Sequence, residues 1–296
     1  MDGSLVPWEE ATVHVLSHAL HYGTGVFEGI RAYPTADGTA VFRLADHMGR
    51  LLRSAKAYGL STEWSVDELG KGAKELLSAN ELESGYLRPL IFYGTGALGL
   101  NPAGAAVRTV IACWRWGAYL GEEGVRNGIR VCVSSWRRID QSSLLPNAKG
   151  TGGYLNSVLA KQDALRAGYE EAVMLNHAGQ VADGSGENLF VVRDRVARTP
   201  PSTEGPLDGI TRNSVMTLLR DDGHLVEEGV VARADLYYAD ELFFTGTAAE
   251  VTPIREVDDR PVGDGKPGPV TRRAQELFRQ AATGHLERYR HWLDFV

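Results

Sequence analysis

The sequence predicts a two-domain protein of the α/β class, in which helices and strands are mixed in the α+β manner. Its 296 residues are long for one domain and sufficient for two, each with a buried core. Strand-like and helix-like segments occur in both halves without the regular alternation of a doubly wound sheet. A stretch rich in glycine and charge, GAYLGEEGVRNG, separates the halves. We therefore predict a small N-terminal domain over 1–116, an interdomain loop over 117–127 and a large C-terminal domain over 128–296.

Hydrophobic periodicity and turn residues predict the elements in order. In the first half, Asp46 is the predicted N-cap of a long helix that Gly59 ends. The first half is predicted to contain a strand over 39–44, helices over 45–60 and 66–80, and strands over 85–94 and 106–116. The second half is predicted to contain a strand over 129–136, a helix over 154–168, hairpins over 172–183 and 187–199, a helix near 208–219, a strand and tight turn over 241–254, and a final helix from about Val270.

Composition limits the classes of function. Hydrophobic residues at 43% and charged residues at 23% are typical of a soluble globular protein, and the formal charge of -7 argues against nonspecific binding to nucleic acid or anionic membrane. The start of the chain is not typical of a signal peptide, so we expect a cytoplasmic protein. Cys113 and Cys132 lie in strand-like apolar runs, which predicts buried thiols and no metal site.

Lys149 is a single lysine in a run of small residues, NAKGTGGY. One interpretation is a flexible surface turn, which is common for glycine-rich segments. The other is an amine that performs covalent chemistry, with small neighbours that let a flat cofactor approach. The segment GTGALG, by contrast, matches a dinucleotide-binding motif, but a strand follows it where that motif requires a helix, so we reject that function.

Pyridoxal phosphate (PLP) is the common partner of such a lysine. It requires an amine for its aldehyde, a carboxylate for its ring nitrogen, donors for its phosphate and a hydroxyl near its phenolic oxygen. The chain offers candidates for each group, although each alone is also typical of an ordinary cap, turn or solvated side chain. The candidates are Lys149, Tyr154, Ile210 and Thr211 at a helix start, Thr247 and Ala248 in a small-residue turn, and Asp183 or Glu187 as the carboxylate.

Several longer motifs resemble the branched-chain amino acid aminotransferases, which are fold type IV PLP enzymes with mixed sheets and flanking helices. The resemblance runs in order from about Pro7 to the final helix. The motifs that carry it are SHALHYGTGVFEGIRAY, YLRPLIF, WGAYLG, NAKGTGGYLNS, GENLF, GITRNS and TGTAAEVTP.

The resemblance implies a role for each matching residue. Lys149 matches the lysine that forms a Schiff base with PLP and then acts as base and acid during the proton shift. Arg50, Ile210, Thr211 and Thr247 match the phosphate ligands, Leu207 the residue packed on the ring face, and Tyr154 the partner of the phenolic oxygen. Tyr86, Arg88, Thr247 and Ala248 match residues that bind substrate carboxylates, and Phe27, Trp116, Tyr119 and Tyr154 match an apolar wall. Tyr22 and Leu100 match positions that a neighbouring subunit contributes, which implies a homodimer or higher homo-oligomer.

This chain departs from the family pattern near the cofactor. Asp183 stands where the family has a glutamate for the ring nitrogen, and it is about 1.5 Å shorter in reach. The backbone could shift inward, a water could bridge the gap, or the contact could weaken. Glu187 is an alternative carboxylate that the match places elsewhere. Thr151 and Gly153 stand where the usual pattern has Gly and Asn.

The function implied by the resemblance is transfer of the amino group of leucine, isoleucine or valine to 2-oxoglutarate by a ping-pong cycle, with small-molecule amino acids and 2-oxo acids as partners. The alternatives are an aminotransferase of the same fold with another amino donor in a specialised biosynthetic pathway, a lyase of that fold, and a non-catalytic cofactor-binding relative.

Overall fold

The computed structural model describes residues 1–117 and 120–296. The helices are α1 (His18–Tyr22), α2 (Leu44–Ala57), α3 (Val66–Ala79), α4 (Gly121–Asn127), α5 (Tyr154–Arg166), α6 (Ile210–Asp221), α7 (Asp235–Tyr238) and α8 (Pro269–Ala282). The strands are β1 (Gly25–Phe27), β2 (Ile30–Thr35), β3 (Gly38–Phe42), β4 (Gly85–Tyr93), β5 (Val107–Trp114), β6 (Ile129–Arg137), β7 (Glu171–Leu175), β8 (Val181–Gly184), β9 (Asn188–Arg193), β10 (Val196–Thr199), β11 (Leu225–Glu228), β12 (Glu241–Gly246), β13 (Glu250–Val257), β14 (Arg260–Pro261) and β15 (Leu293–Phe295).

The chain folds into two compact units. The first unit contains Met1–Trp116, Ala148–Tyr154 and Ala282–Val296, and the second contains Gly117–Asn147 and Leu155–Ala281. The first unit is therefore completed by two segments that lie far along the chain, and one of them carries Lys149.

The first unit has an antiparallel six-stranded sheet with the order β1-β4-β2-β3-β15, in which β5 pairs with β4. Strands β1 and β2 pair with successive parts of β4, so residues 28 and 29 lie at the break between them. The core of this unit includes Leu51 of α2, Leu77 of α3 and Ile91 of β4. Truncation of such a buried leucine to alanine costs about 2–5 kcal/mol of stability.

The start of α2 differs from its prediction. The N-cap is Arg43, which adopts a left-handed conformation with φ of 54°, and Asp46 lies in the first turn. The Asp46 carboxylate accepts a hydrogen bond from the Arg43 guanidinium, so it does not cap the helix. Arg43 is the single residue between the end of β3 and the start of α2, and its left-handed conformation changes the chain direction there. The prediction of Asp46 as N-cap is wrong, while Gly59 does follow the last turn.

The second unit has a mixed nine-stranded sheet with the order β11-β10-β9-β12-β13-β6-β7-β8, and β14 pairs with β13. Both predicted hairpins are present as the antiparallel pairs β7–β8 and β9–β10. Asp194 and Arg195 connect the second hairpin with positive φ angles of 51° and 64°, as a two-residue turn of type I′ requires. Strand β7 of this sheet is buried on both faces, because Val173 and Leu175 belong to one core cluster and Ala172 and Met174 belong to another with α5.

The predicted order of helices and strands agrees with the structure, and the α/β class is confirmed. The sequence reasoning missed eight short elements: α1, β1, β2, α4, β11, α7, β14 and β15. In the part of the chain that the structure describes, no helix combines the length and apolar character needed to cross a bilayer.

Candidate active site

The backbone of Lys149 is fixed against two elements of the first unit. Its carbonyl accepts a hydrogen bond from the Phe27 N–H at 3.0 Å, and its own N–H donates to Ser54 Oγ of α2 at 3.1 Å. The next residue, Gly150, forms a β-bridge with Val26 of β1. The lysine loop is therefore an ordered extension of the β1 edge and not a flexible surface turn.

Packing within the first unit sets the size of residues beside Lys149. A Cβ atom on Gly150 would lie 2.9 Å from the ring of Tyr58, so a larger residue does not fit. The Thr151 hydroxyl donates to the carbonyls of Gly23 and Gly25 at 2.8 Å and 3.1 Å. The small neighbours were interpreted from sequence as room for cofactor and substrate; at Gly150 the packing against Tyr58 is itself a sufficient reason.

The Lys149 amine lies beside two aromatic rings. Its Nζ donates a hydrogen bond to the Tyr154 hydroxyl at 2.6 Å and lies 5.0 Å from the ring centroids of both Phe27 and Tyr154. Those two rings are 4.7 Å apart in an edge-to-face arrangement. A half-buried amine held in this way can act as a nucleophile toward an aldehyde and can exchange a proton with a neighbouring hydroxyl.

Arg88 lies among aromatic side chains. Its guanidinium carbon is 4.9 Å from the Phe27 ring centroid, 5.4 Å from that of Tyr86 and 5.9 Å from that of Trp114. Trp116 extends this group, because its ring centroid is 4.5 Å from that of Tyr86. Within the described residues, the buried Nε of Arg88 has no hydrogen-bond partner. A buried donor without a partner fits a ligand carboxylate, and the rings around it fit an apolar side chain.

Arg50 is buried on α2, where it binds the carboxylate of Glu28 through Nε at 2.6 Å and Nη2 at 2.9 Å. Tyr22 and Leu100 are instead exposed, with 44% and 88% of their surface accessible. The predicted residue Tyr119 lies outside the described residues.

The start of α6 in the second unit has the features of an anion site. Its N-cap is Gly209, and no side chain caps the backbone there. A Cβ atom on Gly209 would lie 1.9 Å from Asn188 Oδ1, so only glycine fits. Asn188 in turn donates to the carbonyl of Leu207 at 2.8 Å and fixes the loop before the helix. The first N–H groups of the helix, at Ile210 and Thr211, carry the positive end of its dipole.

Thr247 and Ala248 lie in the three-residue turn that joins β12 to β13. Strand pairing on either side ends at Gly246 and Glu250, which holds the turn tightly. Both residues are half-buried. The turn can therefore present a hydroxyl and backbone N–H groups to an anion.

Asp183 is buried at the end of β8 and binds Arg138. The Arg138 Nε donates to Asp183 Oδ1 at 2.8 Å, and its Nη1 donates to Ser157 Oγ at 3.0 Å. Burial raises the pKa of Asp183 to about 6, although the Arg138 charge acts in the opposite direction. Burial, and then repulsion from Glu171, raises the pKa of Glu187 to about 8. Glu187 is thus a weaker candidate than Asp183 for a carboxylate that must carry charge at neutral pH.

Each unit thus brings together one part of the predicted site. The first unit groups Lys149 with Tyr154 and Phe27, and Arg88 with Tyr86 and Trp116. The second unit holds Asp183, Leu207, Ile210, Thr211, Thr247 and Ala248. The sequence reasoning missed Glu28 and Arg138, the ion-pair partners of Arg50 and Asp183. Glu28 lies in the quoted motif GVFEGIR, and a charged residue between apolar strand segments is the signal that could have identified it.

The family of the chain follows from comparison with known proteins. The family model for class IV aminotransferases matches residues 25–257, and the chain belongs to that family. A curated branched-chain-amino-acid aminotransferase of Pseudomonas aeruginosa is 48% identical over 295 residues, covering 100% of this chain and 96% of the relative. Within class IV, the chain therefore belongs with the branched-chain aminotransferases, which confirms the resemblance found in the sequence.

Solved structures agree with this assignment. The branched-chain amino acid aminotransferase of Escherichia coli matches with a TM-score of 0.97 and 48% identity, covering 99% of this chain and 97% of that one. A T.th. branched-chain amino acid aminotransferase, solved with pyridoxamine 5'-phosphate, matches with a TM-score of 0.96 and 48% identity over 100% of this chain and 97% of its own. That enzyme has also been solved with N-(5'-phosphopyridoxyl)-L-glutamate and with 4-methylvaleric acid.

Proposed function

We propose that the protein transfers the amino group of leucine, isoleucine or valine to 2-oxoglutarate, with PLP held covalently by Lys149. The observation that carries this proposal is the Lys149 amine, 2.6 Å from the Tyr154 hydroxyl and beside Phe27, on a backbone fixed by β1 and α2. The relatives of the chain, 48% identical over its whole length, support the same reaction. A cytoplasmic location stays a prediction.

The residues present fit PLP. Lys149 would bind its aldehyde, Tyr154 its phenolic oxygen and Asp183 its ring nitrogen. Arg50, the start of α6 and the turn at Thr247 would bind the phosphate, with Leu207 against the ring. When bound, the cofactor supplies an electron sink that makes the amino acid Cα–H bond acidic. The pyridoxamine 5'-phosphate bound to the T.th. enzyme supports this choice of cofactor.

Lys149 has a second task once substrate has displaced it. Its free Nζ would take the proton from the substrate Cα and deliver it to the cofactor carbon that carried the aldehyde oxygen. The same amine would act as base and as acid, in both directions of the reaction. Tyr154 would hold that amine in position through the hydrogen bond at 2.6 Å. The same two residues would therefore serve both half-reactions.

Arg88 and its aromatic neighbours explain how one site could accept two kinds of side chain. The side-chain carboxylate of glutamate would bind the buried Nε of Arg88, which lacks a partner within the described residues. The leucine side chain would pack on Phe27 and Tyr86, whose rings cover the guanidinium. The phosphopyridoxyl-glutamate and 4-methylvaleric acid complexes of the T.th. enzyme support this dual use.

A homodimer would place Tyr22 and Leu100 in the active site of the neighbouring copy. Their exposure of 44% and 88% supports this arrangement, since a partner would cover them. Leu20 and Leu98 nearby are also exposed, at 62% and 58%, and enlarge the apolar surface. Sedimentation of the purified protein tests this part, and a monomer at micromolar concentration would contradict it.

The decisive experiment follows the half-reaction by absorbance. The PLP-loaded protein receives L-leucine without any oxo acid, and we expect the visible band to be replaced by that of pyridoxamine phosphate. Lys149→Ala should abolish the visible band, whereas Lys56→Ala, an exposed lysine of α2, should leave it intact. A normal band that ignores leucine, isoleucine and valine would point to another amino donor, and a normal band in Lys149→Ala would refute the covalent role.

Arg88→Ala tests the acceptor. We expect kcat/KM for the glutamate half-reaction to fall roughly 10²-fold, because a charged hydrogen-bonded partner is lost. The value for leucine should change by less than about ten-fold, since that side chain needs only the apolar wall. Equal losses for both amino acids would contradict a carboxylate-specific role for Arg88.

A further inference from the structure

Glu28 is a fully buried carboxylate at the break between β1 and β2. Its backbone N–H donates to the Pro89 carbonyl of β4 at 2.9 Å, which fixes the break against the sheet. A charge removed from water at such a position is costly unless it is paired and hydrogen-bonded. Glu28 therefore requires cationic groups or hydrogen-bond donors close to both of its oxygens.

Two side chains of α2 satisfy this carboxylate. Arg50 donates through Nε to Oε1 at 2.6 Å and through Nη2 to Oε2 at 2.9 Å. His47 Nδ1 lies 2.7 Å from Oε2. Burial alone would raise the pKa of Glu28, but Arg50 and then His47 more than offset it and hold the pKa far below its usual value. Glu28 is thus charged, and it binds two of the five N–H donors of Arg50.

The same face of α2 also fixes the lysine loop. His47, Arg50 and Ser54 lie three and four residues apart, which places them on one side of a helix. Ser54 Oγ accepts the N–H of Lys149, and Phe27, directly before Glu28, donates its N–H to the Lys149 carbonyl. Glu28 therefore joins the helix that carries Arg50 to the strand that holds the lysine loop.

We propose that Glu28, supported by His47, is a positioning residue that orients the Arg50 guanidinium toward the cofactor phosphate. This inference rests on the proposed function, in which Arg50 binds that phosphate. Two bonds to one edge of a planar guanidinium fix its plane and remove the conformational entropy that phosphate binding would otherwise cost. Two effects oppose each other here, since the Glu28 charge also repels a phosphate. We expect orientation to outweigh repulsion, because Glu28 fixes the guanidinium through two bonds, whereas a glutamine would retain one acceptor and turn an NH₂ group toward the arginine.

The test compares PLP with pyridoxal, which lacks the phosphate. Cofactor-free protein is titrated with each compound, and dissociation constants are measured for the wild type and for Glu28→Gln. We expect PLP binding to weaken about ten-fold and pyridoxal binding to change by less than about two-fold. Equal weakening of both would assign Glu28 a general structural role, and tighter PLP binding would show that charge repulsion dominates. Either result overturns the inference.

Matched variants separate positioning from loss of stability. Glu241 is a buried carboxylate of the second unit, where it accepts hydrogen bonds from the Thr271 N–H and hydroxyl. Glu241→Gln should destabilise the protein without changing the ratio of the two dissociation constants. Glu28→Asp keeps the charge, and we expect it to restore part of the preference for PLP. Partial unfolding lowers the binding of both compounds together, so the ratio stays interpretable.

The Arg50→Gln background distinguishes the two possible failures. If Glu28 acts through Arg50, Glu28→Gln should have no further effect on PLP affinity in Arg50→Gln protein. If Arg50→Gln leaves the preference for PLP unchanged, the phosphate assignment fails and this inference fails with it. If Arg50→Gln removes the preference but Glu28→Gln does not lower it, only the role of Glu28 is refuted.

Discussion

Glu28 in the first unit and Asp183 in the second are both buried carboxylates paired with an arginine, yet their charges are balanced differently. Glu28 receives Arg50 on both oxygens and His47 on one of them. Arg138 contacts Oδ1 of Asp183 through Nε at 2.8 Å and Nη2 at 2.7 Å, and no contact to Oδ2 is found within the described residues. The pKa of Glu28 is accordingly held below its usual value, whereas burial raises the pKa of Asp183 to about 6.

This difference indicates what each carboxylate can do. The charge of Glu28 is fully compensated within the protein, which suits a group that holds another side chain in place. The charge of Asp183 is only partly compensated, so a further cation nearby would stabilise its ionised form. A protonated pyridine ring is such a cation, and the raised pKa of Asp183 therefore supports the proposal that Asp183 is its partner.

The largest expected effect is on kcat, which should fall much more in an Asp183 variant than in a Glu28 variant. Asp183→Asn removes the charge that would stabilise the ring nitrogen, and we expect kcat to fall roughly 10²–10³-fold at saturating PLP. Glu28→Gln should lower kcat by less than about ten-fold under the same conditions, because saturating cofactor compensates for weaker binding. Steady-state kinetics with L-leucine measures both, and comparable losses of kcat would remove the distinction. Asp183→Glu is the control that retains the charge.

For the free energy of unfolding we expect the opposite order, with the Glu28 variant losing more than the Asp183 variant. Glu28→Gln leaves a buried arginine without its carboxylate and should lower the free energy of unfolding by about 3–5 kcal/mol. Asp183→Asn also removes a carboxylate from an arginine, but we expect it to lower the free energy of unfolding by less than about 2 kcal/mol at pH 7. Ionised Asp183 itself costs stability there because its pKa is raised, and Arg138 keeps its hydrogen bonds to Ser157 Oγ and the Gly184 carbonyl. Urea unfolding of the cofactor-free proteins measures both values. A larger loss in Asp183→Asn would contradict the assignment.

The pH dependence of PLP binding sharpens the role of Asp183. In the cofactor-free protein Asp183 is protonated below about pH 6, and a bound cationic ring would lower that pKa, so binding releases a proton. Affinity should therefore rise about ten-fold between pH 5 and pH 7 and then level off. The phosphate of PLP also titrates near pH 6, so the prediction concerns the difference between wild type and Asp183→Asn. Parallel curves for the two proteins would refute it.

The smallest effect concerns the lysine loop. Thr151→Gly restores the residue of the usual family pattern but removes the hydroxyl bonds to the carbonyls of Gly23 and Gly25. We expect a loss of about 1–2 kcal/mol in stability, measured by urea unfolding. Thr151→Ser retains the hydroxyl and should lose less than half of that amount. If the two variants are equally stable, the hydroxyl does not hold the loop.

Local patterns predicted most elements because their signals lie within a few residues. The helix α3 shows this, since Ser65 and Glu68 form a reciprocal capping box at the predicted start. The prediction failed at Asp46, where the left-handed Arg43 makes the corner and binds that carboxylate. Strand β15 was missed because its partner, β3, lies about 250 residues earlier in the chain, and pairing at that separation leaves no local pattern.

The residues of the candidate site also fall into those that a local motif predicted and those that only long-range contacts reveal. Lys149 and the small residues around it were evident in one short segment, and the family motifs predicted the other candidate ligands. The partners Glu28 and Arg138 were not evident, because Glu28 meets Arg50 from 22 positions away and Arg138 meets Asp183 from 45. No periodicity relates residues at those separations.

The sequence by itself determined the class of fold, the order of most elements and the choice of Lys149 as the candidate reactive lysine, because propensity, caps and motifs act over short distances. Only the tertiary structure decided that residues 148–154 complete the first unit, that Tyr58 excludes a side chain at Gly150, and that one buried carboxylate is fully compensated while the other is not. These outcomes depend on burial and on contacts between distant segments. A charge becomes costly only when the folded chain buries it, and the groups that offset the cost come into contact with it only in the folded chain.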